Sequence, residues 1–183
     1  MEDVKALARA GWHRLARTAA YALMPKFTAS AMVVARDDQH GPVPWVLLVR
    51  KRTGGQQWGF PAGYVSYGRT IVATAAHELA EETGLTPAIG PANHLRTYRQ
   101  PWAMHLDHLF LVAASGEPQV RDTAEIAQAR WWPVDEMPEL SREAAQALLE
   151  VPDLLSRPLP TVPNEPPRPA ERAGGPQNCS KPG

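Results

Sequence analysis

The sequence predicts an α/β fold, in which a mixed sheet lies between helices in an α/β/α sandwich. Two β-rich runs, at residues 31–35 and 45–49, lie on either side of a turn, and a strongly helical segment follows at 70–83. Three further strand-like runs and a last helix complete the pattern. The 183 residues suffice for one domain with a sizeable core, but not comfortably for two.

Residues 1–25 are predicted to form an amphipathic helix that precedes the domain. Apolar residues recur there at helical spacing, and Pro25 ends the segment; they are Val4, Leu7, Ala8, Trp12, Leu15, Ala19 and Leu23. We expect the apolar face to pack on the domain or on a second subunit, which would make the protein a homodimer. Contact with a membrane surface is the alternative.

The domain is expected over residues 28–155. Turn-forming residues separate the first two strands, which indicates a hairpin, and glycines and prolines predict a loop over 54–63. Helix 70–83 follows and ends at Gly84, since glycine accepts the backbone conformation that stops a helix.

The second half of the domain is predicted to add three strands and a helix. The strands are expected at 95–99, 106–113 and 129–134. Ser141 then supplies an N-cap for a helix that continues through Glu150.

Residues 157–183 differ in composition from the domain. They are rich in proline and have few large apolar residues, so they cannot bury enough surface to offset the entropy of ordering. We expect a disordered tail.

Charge and cysteine content exclude some classes of protein. Lys+Arg and Asp+Glu each total 19, so no net charge favours general binding to nucleic acid. Cys179 is the sole cysteine, which rules out an intrachain disulfide and fits a reducing cytoplasm.

Hydropathy predicts neither a membrane span nor a secretory signal. No run approaches the roughly 20 apolar residues that cross a bilayer. Arg9, His13, Arg14 and Arg17 interrupt the apolar stretch near the N-terminus.

Three glutamates on the central helix are the main candidates for chemistry. Glu78, Glu81 and Glu82 stand at i, i+3 and i+4 and therefore share one helical face. A hard divalent cation such as Mg²⁺ would compensate their mutual repulsion. Because the apolar residues of this helix lie on another face, we expect the acidic face to look outward into a cleft.

The segment around these glutamates resembles the Nudix box. That pattern is Gly, five residues, Glu, seven residues, then Arg-Glu-aliphatic-any-Glu-Glu-any-Gly-aliphatic. The matching residues are Gly63, Glu78, Leu79, Glu81, Glu82, Gly84 and Leu85. The flanking runs 58–63 and 125–138 are also similar to the family, and the resemblance covers about residues 28–150.

Two positions depart from the pattern. Arg69 replaces the first glutamate of the box, and His77 replaces its arginine, which in the family helps to orient a glutamate. His77 can form hydrogen bonds but lacks the fixed fork of a guanidinium. Arg69 either contacts a substrate phosphate or pairs with a box glutamate and competes with the metal.

The resemblance implies which residues hold the metal and which act on water. The side chains of Glu78, Glu81 and Glu82 and the backbone carbonyl of Gly63 would bind Mg²⁺ or Mn²⁺. Glu81, Glu82 or the more distant Glu125 would activate the attacking water, and the sequence leaves the choice among them open.

Residues outside the box are candidates for substrate binding. Arg50 and Arg52, at the end of the second strand, could contact phosphates, as could Arg69. Trp102 could stack on a base. His105 and Asp107 share one strand face while His108 points the other way, which argues against a zinc site there.

The resemblance therefore implies a divalent-metal-dependent hydrolase of a phosphoanhydride, in a nucleoside diphosphate linked to another moiety. Two alternatives stay open. One is a Nudix-fold binding or regulatory protein whose catalysis is impaired by the changes at Arg69 and His77. The other is a hydrolase of a non-nucleotide diphosphate, such as an isoprenoid diphosphate.

Overall fold

The computed structural model describes residues 26–39, 41–53 and 55–160. The helix expected at 1–25 lies outside these residues, as does the tail beyond residue 160. The strands are β1 (Thr28–Asp37), β2 (Trp45–Lys51), β3 (Trp58–Gly59), β4 (Ala62–Tyr64), β5 (His94–Arg99), β6 (His105–Ala113) and β7 (Ile126–Pro133). The helices are α1 (Ile71–Thr83) and α2 (Arg142–Glu150), with a 3₁₀ turn at Pro91–Asn93.

The strands form one mixed sheet. Its main order is β3-β2-β1-β6-β5, with β4 paired to β1 and β7 paired to β2. Strands β1 and β6 run parallel, whereas the other pairs are antiparallel. The predicted mixed sheet and the strands predicted within it are confirmed.

Strands β1 and β2 pair only briefly and then diverge. They form a hairpin at Arg36↔Val46 and Asp37↔Trp45. Beyond these pairs β3 joins β2, and β4 joins β1. The segment expected to be a loop therefore contains two short strands, because the open edges of β1 and β2 leave backbone groups that need partners.

Helices cover both faces of the sheet. Along β1, Ala31 and Val33 pack with Ala75 and Leu79 of α1. The alternate residues of β1, such as Met32, pack on the other face, in the cluster that includes Ala144 and Ala147 of α2. This alternation follows from the two-residue period of a strand, and it confirms the α/β/α sandwich.

The predicted ends of α1 are confirmed. Thr70 Oγ1 accepts a hydrogen bond from the Ala73 backbone N–H at 3.1 Å, which caps the first turn. Gly84 adopts a φ of 75°, and its N–H donates to the carbonyl of Ala80. Both ends of the helix that carries the glutamates are therefore specified locally.

Packing continues slightly past the predicted domain boundary. Leu155 and Leu159 lie against the core cluster on the α2 side, and Arg36 Nη1 donates to the Leu155 carbonyl at 3.1 Å. Leu159 thus belongs to the packed domain, although the tail was expected to start at residue 157. A leucine can be held by an existing core even inside a proline-rich segment.

Across the described ranges, no helix has the length and apolar character needed to cross a membrane.

Candidate active site

A cavity of about 800 Å³ opens on the α2 side of the sheet. Its wall includes Lys51 at the end of β2, Gly63 on β4, Glu78 on α1 and Glu125 just before β7. This volume is ordinary for a small-molecule site. Strand β4 places Gly63 against Glu78, and the pairing of β2 with β7 brings Lys51 to Glu125.

Gly63 and Glu78 lie in direct contact. A Cβ atom built on Gly63 would overlap the carboxyl group of Glu78. Gly63 is paired with Ala31 in the sheet, so its backbone cannot easily withdraw. The absence of a side chain at residue 63 therefore lets a helix carboxylate lie against the backbone of β4.

Glu82 is buried rather than exposed to the cleft. Its side chain is 5% exposed, and Oε2 accepts a hydrogen bond from the Ala62 backbone N–H at 3.1 Å. Burial raises the pKa of Glu82 to about 8, although the charge of Lys51 opposes that rise. The expected outward-facing acidic face is thus wrong for Glu82, because α1 packs so closely on β4 that this position is enclosed.

Lys51 lies between two carboxylates. Its Nζ donates to Glu125 Oε1 at 2.5 Å and is 3.8 Å from Glu82 Oε1. Burial alone would lower the pKa of Lys51, but the hydrogen bond to Glu125 and the charges of Glu82, Glu125 and Glu78 hold that pKa above its ordinary value. The sequence placed Lys51 merely at a strand end and did not single it out as a site residue.

Glu81 points away from the cavity wall and pairs with His77. The distance from His77 Nε2 to Glu81 Oε2 is 3.0 Å, and both side chains are more than a third exposed. The two residues are one helical turn apart, so this contact needs no change in the backbone. His77 therefore contacts a box glutamate, and its role in orienting that glutamate stays a prediction.

Arg69 affects Glu78 electrostatically. The pKa of Glu78 is raised, chiefly by burial and also by the charge of Glu81, while the charges of His77 and Arg69 lower it. The expected pairing of Arg69 with a box glutamate and its expected contact with a substrate phosphate both stay predictions.

The carboxylates suit a divalent cation chemically but are not assembled around one. Within residues 26–39, 41–53 and 55–160, no three His, Cys, Asp or Glu side chains converge closely enough to hold a metal ion. The pKa values of Glu78 and Glu82 are both raised, because burial outweighs the compensation that neighbouring positive charges give to the ionised carboxylates. An oxygen-only set beside the Gly63 backbone is what Mg²⁺ or Mn²⁺ prefers, and Glu81 would have to leave His77 to join it.

The other predicted substrate-binding residues lie outside the cavity wall. Arg50 donates to Gln128 and Gln56, and Arg52 donates to the carbonyl of Thr123. Arg50 thus bridges β7 and the loop after β2, and Arg52 contacts the segment before β7.

Trp102 is occupied on one face. The guanidinium carbon of Arg142 lies 3.7 Å from the centre of its ring. Arg142 lines the cavity, whereas Trp102 does not. A base could stack on Trp102 only through the opposite face or after Arg142 moves.

A second polar group in the cavity was not predicted as a site. Ser30, Gln100, His105 and Asp107 are all buried and all line the wall. His108 contacts Thr97 instead, which confirms the expected alternation along β6. The sequence indicated that His105 and Asp107 lie on one strand face. It did not indicate their partners, which lie on β1 and after β5.

Known proteins resemble this chain in sequence and in fold. A family model described as the NUDIX domain matches residues 26–151. The chain is 35% identical over 121 residues to the CMP-5′-(N-acetyl-N-hydroxy-3-aminopropyl)phosphonate hydrolase of Streptomyces rubellomurinus, over 62% of this chain and 55% of that protein. It is 29% identical over 109 residues to the putative mutator protein MutT4 of Mycobacterium tuberculosis, over 57% of this chain and 44% of that protein.

The chain thus spans about half the length of the curated relatives it matches. Among solved structures, it is similar to the NUDIX domain of Shewanella oneidensis NrtR, crystallised with ADP ribose. The TM-score is 0.58 and the identity 21%, with 71% of this chain and 89% of that chain covered. This likeness concerns the fold. Because the family model covers well over half of the sequence, the chain belongs to the Nudix family.

Proposed function

We propose that this protein is a divalent-metal-dependent hydrolase that cleaves a phosphoanhydride bond in a nucleoside diphosphate derivative. The observation that carries the proposal is the contact of Glu78 with the backbone of Gly63, next to buried Glu82, beside a cavity of about 800 Å³. Such an arrangement costs stability unless a cation compensates the carboxylates.

Glu78, Glu82 and the Gly63 carbonyl would hold Mg²⁺ or Mn²⁺, and Glu81 would join them once released from His77. The bound cation supplies charge neutralisation on the phosphoryl oxygens. The chain itself supports these donors: the Ala62 N–H fixes one oxygen of Glu82, and the glycine at residue 63 leaves room for Glu78.

Glu125 is the carboxylate we assign to the attacking water. It is 51% exposed, lines the cavity and is held by Lys51. The water oxygen forms a bond to phosphorus, its proton passes to Glu125, and the bond from phosphorus to the bridging oxygen breaks. Glu82 is enclosed, and Glu81, although as exposed as Glu125, pairs with His77 and does not line the cavity.

The relatives support a nucleotide substrate. The Streptomyces protein is named as a hydrolase of a CMP derivative, and the NrtR domain was solved with ADP ribose. In both names a nucleoside phosphate is linked to a further group. A nucleoside diphosphate linked to another moiety is therefore the substrate class we infer, rather than an isoprenoid diphosphate.

The first experiment is a hydrolysis screen. Purified protein is incubated with ADP-ribose, CDP-linked and UDP-linked compounds and nucleoside triphosphates, with Mg²⁺, with Mn²⁺ or with chelator. We expect metal-dependent release of a nucleoside monophosphate, and a loss of about 10²–10⁴-fold in Glu125→Gln, typical of a general base. No turnover of any compound with either metal would refute the proposal and favour a binding protein.

The two departures from the box pattern give a separate prediction. Since His77 already contacts Glu81, His77→Arg should keep or raise turnover, because arginine can make the same contact with a permanent charge. Arg69→Glu should also keep turnover if Arg69 acts only on Glu78. A rise in KM with unchanged kcat in Arg69→Glu would instead show that Arg69 binds substrate phosphates. If the wild type is inactive and the double variant is active, the protein has lost catalysis through these two changes.

A further inference from the structure

We propose that the buried polar cluster of Ser30, Gln100, His105 and Asp107 is the nucleoside subsite, in which the amide of Gln100 reads the hydrogen-bonding edge of the base. Asp107 is a positioning residue that fixes this amide. The proposal rests on the proposed function for its substrate class, but it concerns residues to which no role has been assigned above.

Asp107 organises the cluster. Its Oδ1 accepts from Ser30 Oγ and lies 3.2 Å from His105 Nε2, and its Oδ2 accepts from Gln100 Nε2 at 2.8 Å. His105 Nδ1 lies 2.6 Å from the hydroxyl of Thr28. An imidazole protonated on Nε2 satisfies both contacts, with the Thr28 hydroxyl donating to Nδ1.

Core packing alone does not explain why these four buried residues are polar. A buried carboxylate among polar neighbours is costly to desolvate, and apolar residues of similar size would pack there with less loss. Asp107 is 1% exposed and Gln100 is 8% exposed, yet both line the cavity. Asp107 therefore forms the floor, and Gln100, Ser30 and His105 are the groups that a ligand meets.

The negative charge of Asp107 decides which part of a substrate fits. Its neighbours are a hydroxyl, an amide and an imidazole, without a lysine or arginine among the contacts described. Phosphates would be repelled here and attracted to the end that holds Lys51 and the proposed metal. The uncharged part of a nucleotide is the part that suits the cluster.

One nucleotide can reach from the proposed metal site at Gly63 to the polar cluster at Asp107. Gly63 lies on β4, Ser30 on the adjacent β1, and Asp107 on the next strand, β6. Neighbouring strands are about 4.8 Å apart, so the two ends are separated by about 10 Å across the sheet. Tyr64, 69% exposed beside His105, offers an aromatic surface along the way.

Fixing the Gln100 amide confers selectivity. A free glutamine amide rotates by about 180° and can pair with either an amino or a keto base. Only Nε2 can donate to Asp107, so that rotation is blocked. The phosphates are held at the other end of the cavity, so the base meets Gln100 Oε1 as the acceptor and the second N–H of Nε2 as the donor, in one fixed order. This order distinguishes cytosine from uracil, or adenine from hypoxanthine.

The test measures binding of nucleoside monophosphates, which contain no anhydride and so bind independently of hydrolysis. The dissociation constants of CMP, UMP, AMP, IMP and dCMP are measured by calorimetry with wild type, with Asp107→Asn and with the exposed control Asp153→Asn. In the wild type and the control, we expect the dissociation constants to differ by at least about tenfold between CMP and UMP or between AMP and IMP. In Asp107→Asn, the new amide lets Gln100 rotate, so this difference should fall below about threefold. The ratio of the dissociation constants of CMP and dCMP should stay constant.

Three results would overturn the proposal: no binding of any monophosphate by the wild type, unchanged base ratios in a folded Asp107→Asn, or a change in the CMP/dCMP ratio alone. If Asp107→Asn does not fold, the side-chain amide resonance of Gln100 in the wild type decides, and it must shift when CMP or UMP binds. Base-selective binding without hydrolysis would support this subsite and refute the proposed function. Hydrolysis without base selectivity would support the proposed function and refute this subsite.

Discussion

Glu82→Gln is expected to lower kcat by about a thousandfold while leaving the metal-free protein at least as stable as the wild type. The loss follows because a metal-binding carboxylate is removed and charge neutralisation dominates phosphoryl transfer. The retained stability follows because the oxygen of the glutamine amide can still accept the hydrogen bond from Ala62, and the amide brings no buried charge.

The pH dependence of stability gives this variant a second readout. The folded-state pKa of Glu82 is raised to about 8 from an ordinary 4.5, so the folded protein holds a proton that the unfolded chain releases between these values. The free energy of unfolding should therefore fall as pH rises from about 4.5 to 8. Glu82→Gln removes this decline, which we expect to be worth about 1–3 kcal/mol at a pH of about 7 to 8.

Chemical unfolding without metal, at about pH 5, 6.5 and 8, measures the effect on stability across this range, and hydrolysis with Mg²⁺ measures the catalytic loss. Glu136→Gln, in the exposed turn after β7, is the matched control and should change neither quantity. Wild-type turnover in Glu82→Gln would exclude Glu82 from the metal site. A steeper loss of stability with pH in the variant would contradict the raised pKa.

Gly63→Ala is expected to reduce turnover by about a hundredfold and to weaken metal binding, because a metal donor is displaced. The new Cβ would overlap the Glu78 carboxyl group, which must then move away from the β4 backbone. The backbone of Gly63 does not have a positive φ, so alanine causes no strain of its own there. The damage should thus be confined to the contact with Glu78.

Thermal unfolding with increasing Mg²⁺ or Mn²⁺ tests this without relying on activity, because a ligand that binds the folded state raises the melting temperature. The shift should be large in the wild type and nearly absent in Gly63→Ala. Gly41→Ala is the matched control, since its Cβ would meet the Trp45 side chain at an ordinary 3.7 Å. Equal shifts in both variants would show that Gly63 and Glu78 do not hold the metal.

Elements set by nearby residues were predictable from the sequence. Helix α1 begins within one residue of the expected position and ends at Gly84, and the N-cap of α2 is Ser141 as expected, because each end depends on hydrogen bonds a few residues apart. The spacing of Gly63 and the glutamates indicated the family in the same way. The short strands β3 and β4 were not predictable, because they form only where β1 and β2 leave unpaired edges.

The sequence by itself determined which residue types stand on α1 and at what intervals, since a helix repeats about every 3.6 residues wherever it lies. Tertiary structure decided how exposed each of them is. Packing of α1 on β4 enclosed Glu82 and left Glu81 about half exposed. The pairing of β2 with β7 brought Lys51 to Glu125 across 74 residues, and the pairing of β1 with β6 joined Ser30 to Asp107, 77 residues apart. Burial and the contacts between distant strands change charge, pKa and ligand access, and neither can be read from local spacing.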